Sequence, residues 1–159
     1  APGPVYIRLL RRNAVKVFDD SKDFTLGKGT LIKEGHDVTI FSSGIMVAES
    51  IKAAEILKSE GIDAEVINIH TVKPLDTEMV TESARKTGAV VTAENHSVIG
   101  GLGSTVSEAL SETYPVPVRR VGINDHFGEV GLTDFLMEKY GLTAAHIVEE
   151  AKMAIAMKK

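Results

Sequence analysis

The sequence predicts an α/β domain: a largely parallel sheet with helices on both faces. Three observations carry that reading. Short β-branched apolar runs recur along the chain, at Val38–Phe41, Ala64–Ile69, Ala89–Val91 and Val116–Ile123. Between them lie segments whose apolar residues repeat at helical spacing. Glycines and short polar residues mark the changes from one pattern to the other. Strands alternating with helices at this interval favour parallel pairing and two covered faces.

The first strand candidate is Val5, Tyr6, Ile7, Leu9 and Leu10, interrupted by Arg8 and closed by Arg11-Arg12-Asn13. It has no earlier strand to pair with, which points to the tail of a preceding domain. Residues 14 to 26 show no clean period, and Asp19–Asp23 reads as an exposed polar arm. From Gly27 the texture changes, giving a boundary between residues 1–26 and a domain over 27–159. Thr30-Leu31-Ile32 forms a short strand, followed by a turn at Glu34–Asp37.

Val38–Phe41 is a buried strand, and Ser42-Ser43-Gly44 offers a cap to a helix with Val47, Ile51, Ala54 and Leu57 on one face. Gly61 suits the left-handed position just past that helix. After the strand Ala64–Ile69, Pro74 bars a helix from running through Lys73, and Asp76 can cap the helix carrying Met79, Val80 and Ala84. Gly88 ends it. Ala89–Val91 is the next strand, stopped by the polar group Glu94-Asn95-His96-Ser97. Gly100, Gly101 and Gly103 then lead into a helix with Leu102, Val106, Ala109 and Leu110.

The last strand draws on Val116, Val118, Val121 and Ile123. Beyond it, Asn124–Gly131 is a second polar, glycine-bearing loop. Thr133 and Thr143 can cap the two closing helices, the first running to Gly141 and the second burying Ile147, Ala151, Ala154 and Ile155.

Composition narrows the functional classes. At 159 residues the chain is long enough for a full core, and 43% hydrophobic with 25% charged residues is ordinary for a globular protein. A net charge of −4 gives no electrostatic reason to expect nucleic acid or an acidic membrane as partner. No apolar run approaches the roughly 18 residues of a spanning helix. With no cysteine, disulfides and thiolate metal sites are excluded. A cytoplasmic location is the expectation.

The residue chemistry centres on the loop at the end of the Ala89–Val91 strand, where open α/β sheets usually bind ligands. Its glycines could let a backbone approach a phosphate, with the helix start attracting the anion. The dinucleotide fingerprint nevertheless fails, because Val106 stands where its third glycine belongs, and no Gly-Lys-Ser/Thr occurs. Tight turning and close helix packing are the favoured reading of Gly100, Gly101 and Gly103. Glu94, His96, Asp125 and Glu129 lie in or beside strand-end loops, with Glu94, His96 and Asp125 as candidate site residues together with the glycines. The five histidines lack His-x-x-x-His and His-Glu-x-x-His spacing, so no metal site is read. These residues alone leave a small-ligand binding or regulatory module open.

Four segments, in order, resemble the carboxyl-terminal region of the transketolases. They are Ile7–Asn13, Gly35–Gly44, Val66–Asp76 and Thr92–Gly103. The resemblance implies a three-layer α/β/α sandwich with a five-stranded mixed sheet, its first strand, around Leu31, antiparallel to the rest. It implies that residues 1–26 close a preceding pyrimidine-binding domain and lead into this one. It further implies thiamine diphosphate and Mg2+ in the complete enzyme, none of it held by this chain, since Gly-Asp-Gly followed by asparagine is absent. The expected partners are the remaining transketolase domains or an amino-terminal subunit, in a homodimer acting on phosphorylated sugars of the pentose phosphate pathway.

Arg11 matches the family's arginine that holds the sugar phosphate, a role suited to a planar guanidinium. Arg8 matches an accompanying position. The related 1-deoxy-D-xylulose-5-phosphate synthases often carry Pro-Arg-Gly-Asn where this chain has Leu10-Arg11-Arg12-Asn13. The missing proline and glycine, with the Lys73–Asp76 run, favour a transketolase. The β-subunits of 2-oxoacid dehydrogenases come third.

Overall fold

The structure, a computed structural model, describes residues 3–10, 14–19 and 24–158. Its elements are β1 (Thr30–Lys33), β2 (Val38–Ser42), α1 (Met46–Ser59), β3 (Ala64–Asn68), α2 (Thr77–Thr87), β4 (Val90–Ser97), α3 (Leu102–Thr113), β5 (Val118–Ile123), α4 (Thr133–Lys139) and α5 (Ala144–Ala156). They form one five-stranded sheet in the order β1-β3-β2-β4-β5. β1 runs antiparallel to β3, and the other neighbours are parallel.

Strand periodicity splits the core into two layers. Val38, Ile40, Val66, Val91, Ala93 and Val121 face one side and meet Met46, Ala53 and Leu57 of α1 and Ile147, Ala151 and Ala154 of α5. Phe41, Ile67 and Val90 face the other and meet Val80 and Ala84 of α2 and Leu102, Val106 and Leu110 of α3. The result is the three-layer sandwich and mixed sheet that the resemblance implied. Full burial of β2 and β3 explains their lack of strict alternation.

Several boundaries follow the expected chemistry. Asp76 caps α2, its side chain accepting from Met79 N, and Thr143 does the same for α5 through His146 N. Gly61 follows α1 with φ +82°, and Gly88 ends α2 with φ +69°.

Among the described residues, 5–10 pair with no strand of this sheet, and Tyr6 and Leu9 are more than 80% exposed. Other expectations need correction. Ser42 and Ser43 do not cap α1, whose first residue follows Ile45; the Ser43 and Gly44 carbonyls accept from Met46 and Val47 instead. Thr133 is the first residue of α4, not its cap, and that helix ends at Lys139. Val116 precedes β5, with Pro117, which cannot donate to a ladder, between them. β4 runs on to Ser97 through the polar group expected to stop it. Asp20–Asp23 of the expected polar arm lie outside the described residues.

Candidate functional site

The run Glu94–Gly103 holds its own answer to the anion question. Glu94 is on the α3 face of β4 and only 3% exposed. Its carboxylate accepts from Leu102 N through Oε2 and from Gly103 N through Oε1, both at 2.8 Å. These are two of the amides that a helix start leaves without intrahelical partners, where the helix dipole also favours negative charge. Glu94 therefore occupies the position that a phosphate would take.

The glycines make that seat possible. A Cβ on Gly101 would lie 2.0 Å from Glu94 Oε2, and one on Gly103 would lie 2.8 Å from both Thr92 Oγ1 and Arg120 Cδ. Both absences of a side chain serve close packing. Gly100 turns the chain with φ +75°, and its N–H donates to Ser104 Oγ at 2.9 Å. The tight-turn and packing reading of the three glycines thus holds.

The remaining candidates do not converge on Glu94. His96 is exposed and makes no side-chain hydrogen bond with the described residues. Asp125 is exposed and takes a left-handed backbone, φ +49°, in the loop after β5. Glu129 pairs with Lys139 at 2.6 Å and accepts from Tyr140 Oη at 3.1 Å. Hydrogen bonds from these two hold its carboxyl below the usual carboxylate range. Arg11 lies outside the described residues. Among the described residues no three of His, Asp or Glu are placed to hold a metal ion. With Glu94 filling the α3 start, these residues do not fit a diphosphate–metal site.

Two features escaped the sequence. Arg8 Nη2 donates to Asn95 O at 2.8 Å, joining the amino-terminal arm to the end of β4. Glu65 is 1% exposed on β3, paired with Lys86 and accepting from Thr39 Oγ1 at 3.1 Å. Glu65 interrupts the apolar run of a fully buried strand, and a charge there demands a partner. Lys86 borders a cleft of about 430 Å³ between β1, β3 and α2. Lys28, Asp76, Leu31, Ile67 and Met79 complete its main lining. Lys28 bonds Asp76 at 3.3 Å there, and Gly29 N donates to Asp76 Oδ2 at 3.0 Å. Burial works to raise the Asp76 pKa, but the Gly29 and Met79 amides and Lys28 outweigh it and hold the carboxyl below its usual range.

A five-stranded, three-layer sandwich with a self-capped glycine loop defines a class of α/β domain without a free phosphate seat at α3. A family model described as the transketolase C-terminal domain matches residues 27–147, and the chain belongs to that family. It is 65% identical over 149 residues to the 6-deoxy-6-sulfo-D-fructose transketolase subunit SqwH of Clostridium sp. (strain MSTE9), covering 94% of this chain and 46% of that protein. A putative transketolase C-terminal section from Methanocaldococcus jannaschii is 41% identical, with 94% and 49% covered. The 1-deoxy-D-xylulose-5-phosphate synthase of Heliobacterium modesticaldum is 42% identical, with 94% and 24% covered. Among solved structures, a split gene transketolase described as an inactive beta4 tetramer matches with a TM-score of 0.93 and 54% identity. That match covers 99% of this chain and 51% of the other. The chain thus spans about half the length of these transketolase relatives, and a quarter of the synthase.

Proposed function

We propose that the chain is the carboxyl-terminal section of a transketolase, active only when assembled with the segments that carry the thiamine-diphosphate and Mg2+ motif. The observation that carries this reading is the 65% identity to a transketolase subunit across nearly the whole chain. The cofactor supplies the ketol-transfer chemistry when bound. This section supplies a rigid sandwich and assembly surfaces, and residues 1–26 close the preceding pyrimidine-binding domain. Arg11 holds the anionic end of the sugar. Its substrates are sugars with a terminal phosphate or sulfonate, those of the pentose phosphate pathway among them. The complete enzyme is a cytoplasmic dimer.

Exposed apolar side chains support the need for partners. Phe127 is 97% exposed, and Val130, Leu132 and Phe135 are also largely bare. The same surface is compatible with self-association of the kind named for the beta4 relative.

Calorimetric titration of the isolated chain with thiamine diphosphate and Mg2+ should give no heat of binding, and no ketol transfer should be detected. Co-expression with the missing transketolase segments should restore both. Micromolar cofactor binding by the chain alone would sink the reading, as would a complete assembly that binds cofactor but transfers no ketol group.

A further inference from the structure

We propose that the cleft between β1, β3 and α2 binds a linear aliphatic polyamine, whose ammonium ends are held by carboxylates at the two ends of the cleft. The space arises because α2 packs against α3 and β2, so a gap opens between it and the edge strand β1. At about 430 Å³ it is in the size range of small-molecule sites. Its floor is apolar. Leu31 of β1 stands opposite Ile67 of β3, and Met79 lines the floor from α2. Gly29 lets these side chains close up, since a Cβ there would lie 2.6 Å from Met79 Sδ and 3.0 Å from Ile69 Cδ1.

Charge is placed at the two ends. At one, Lys28 is shared between Asp76 at 3.3 Å and Glu78 at 3.4 Å. At the other, Lys86 is shared between Glu34 at 2.9 Å and the buried Glu65. Each end thus holds two carboxylates and one ammonium group, an excess of one negative charge. The side chains of Asp76 and Glu65 are only 5% and 2% exposed, so their charge is weakly screened. Asp76 and Glu78 raise the Lys28 pKa; burial works to lower that of Lys86, but Glu34 and Glu65 outweigh it. Glu82 lines the cleft from α2 between the two ends and has no ion-pair partner among the described residues. Among those residues no three of His, Asp or Glu converge on a metal site. Negative charge strung along an apolar floor suits an extended organic cation rather than a compact ion.

The span follows from the elements. From Asp76 to Lys86, α2 rises about 15 Å. On the sheet, Gly29 N bonds Asp76, and the neighbouring Thr30 pairs with Asn68, about 10 Å of strand from Glu65. At about 3.5 Å for every three single bonds of an extended chain, the end nitrogens of spermidine reach about 11 Å and those of 1,4-diaminobutane about 6 Å.

Calorimetric titration of the full chain with spermidine at physiological ionic strength tests the site. Saturable one-to-one binding is expected, with 1,4-diaminobutane about tenfold weaker or worse, because it cannot engage both ends at once. Glu34→Gln and Glu78→Gln, both at exposed positions, should each weaken spermidine about threefold, the effect of one exposed ion pair. Each should also narrow its advantage over the short diamine, since one charged end is then lost. Leu31→Lys puts a further ammonium group on the floor and should weaken binding about tenfold or more. A thermal melt shows whether that variant is folded; if it is not, the two glutamine variants decide. Absence of saturable heat overturns the proposal. So does equal affinity for the long and short amines, or unchanged binding in both glutamine variants. Either is what diffuse attraction of polycations to a chain of net charge −4 would give. Mg2+ at matched ionic strength should leave spermidine affinity within about twofold, and its full displacement by the metal would overturn the assignment to an extended cation.

Discussion

Two loops leave the carboxyl ends of neighbouring strands, and they put similar sequences to opposite uses. The end of β4 together with the loop to α3 contains carboxylate, histidine and glycines, and so does the loop from β5 to α4. The first turns inward: Glu94, Val98 and Leu102 are buried, and the carboxylate closes on α3. The second turns outward: Phe127 and Val130 face solvent, and α4 buries none of its residues. Polarity at a strand end therefore says little about environment. What separates the two is whether a buried donor pair waits for the carboxylate.

The largest test of that contrast is Glu94→Ala. It strands two buried amides, at about 1–3 kcal/mol each, so urea titration should show a loss of about 3–4 kcal/mol. Glu94→Gln, still able to accept one bond, should lose about half as much. A loss under about 1 kcal/mol for alanine would mean that water serves the helix start equally well, and the contrast would collapse.

Gly101→Ala comes next, at about 2–3 kcal/mol, because its Cβ would overlap the carboxylate. The double variant with Glu94→Ala should cost less than the sum of the two. Strict additivity would show that the clash is with something else.

Asp76 offers an intermediate case, a helix-capping carboxylate at a cleft rather than deep in the fold. Asp76→Ala should cost about 1–2 kcal/mol at neutral pH. Because its folded pKa is depressed, its contribution is present above the unfolded value and lost as pH falls through the folded one. Urea midpoints measured from pH 7 to 3 should therefore decline below about pH 4, less steeply in the variant. Asp63, lowered chiefly by its hydrogen bond from His36, adds to the same acid limb. An identical acid slope in Asp76→Ala and the parent would remove Asp76 from this account.

The smallest effect belongs to the outward loop. Phe127→Ser and Val130→Ser should each change the stability of the isolated chain by no more than about 0.5 kcal/mol. Thermal melts resolve this: a drop comparable to that of Glu94→Ala would place these side chains in a core of their own.

Layers, the largely parallel sheet and most glycine stops were legible in the sequence because periodicity and backbone freedom are local properties, whereas the antiparallel β1 followed only from the family resemblance. Asp76 and Thr143 were readable as caps for the same reason. Ser43 and Thr133 carried an equal signal and failed, since the backbone reached the helix start without them. The inward turn of Glu94 was hidden because its donors lie eight and nine residues on, across a loop whose path only the sheet defines. Val5–Leu10 finds no strand partner among the described residues, since β-propensity reports fitness for a pleated surface, not the presence of a neighbour. The Arg8 bond falls where the pairing of β4 with β5 skips from Ala93 to Ser97, a mismatch that neither strand's sequence records.

The buried carboxylate of Glu94 can be viewed as a ligand that the chain carries for itself. Tethered beside its receptor, it competes at an effective concentration above the millimolar range of flexible linkers. A free phosphate at ordinary cellular levels would have to displace it and leave a charge stranded in the interior. A cradle shaped like those that read nucleotides elsewhere is thereby taken out of competition.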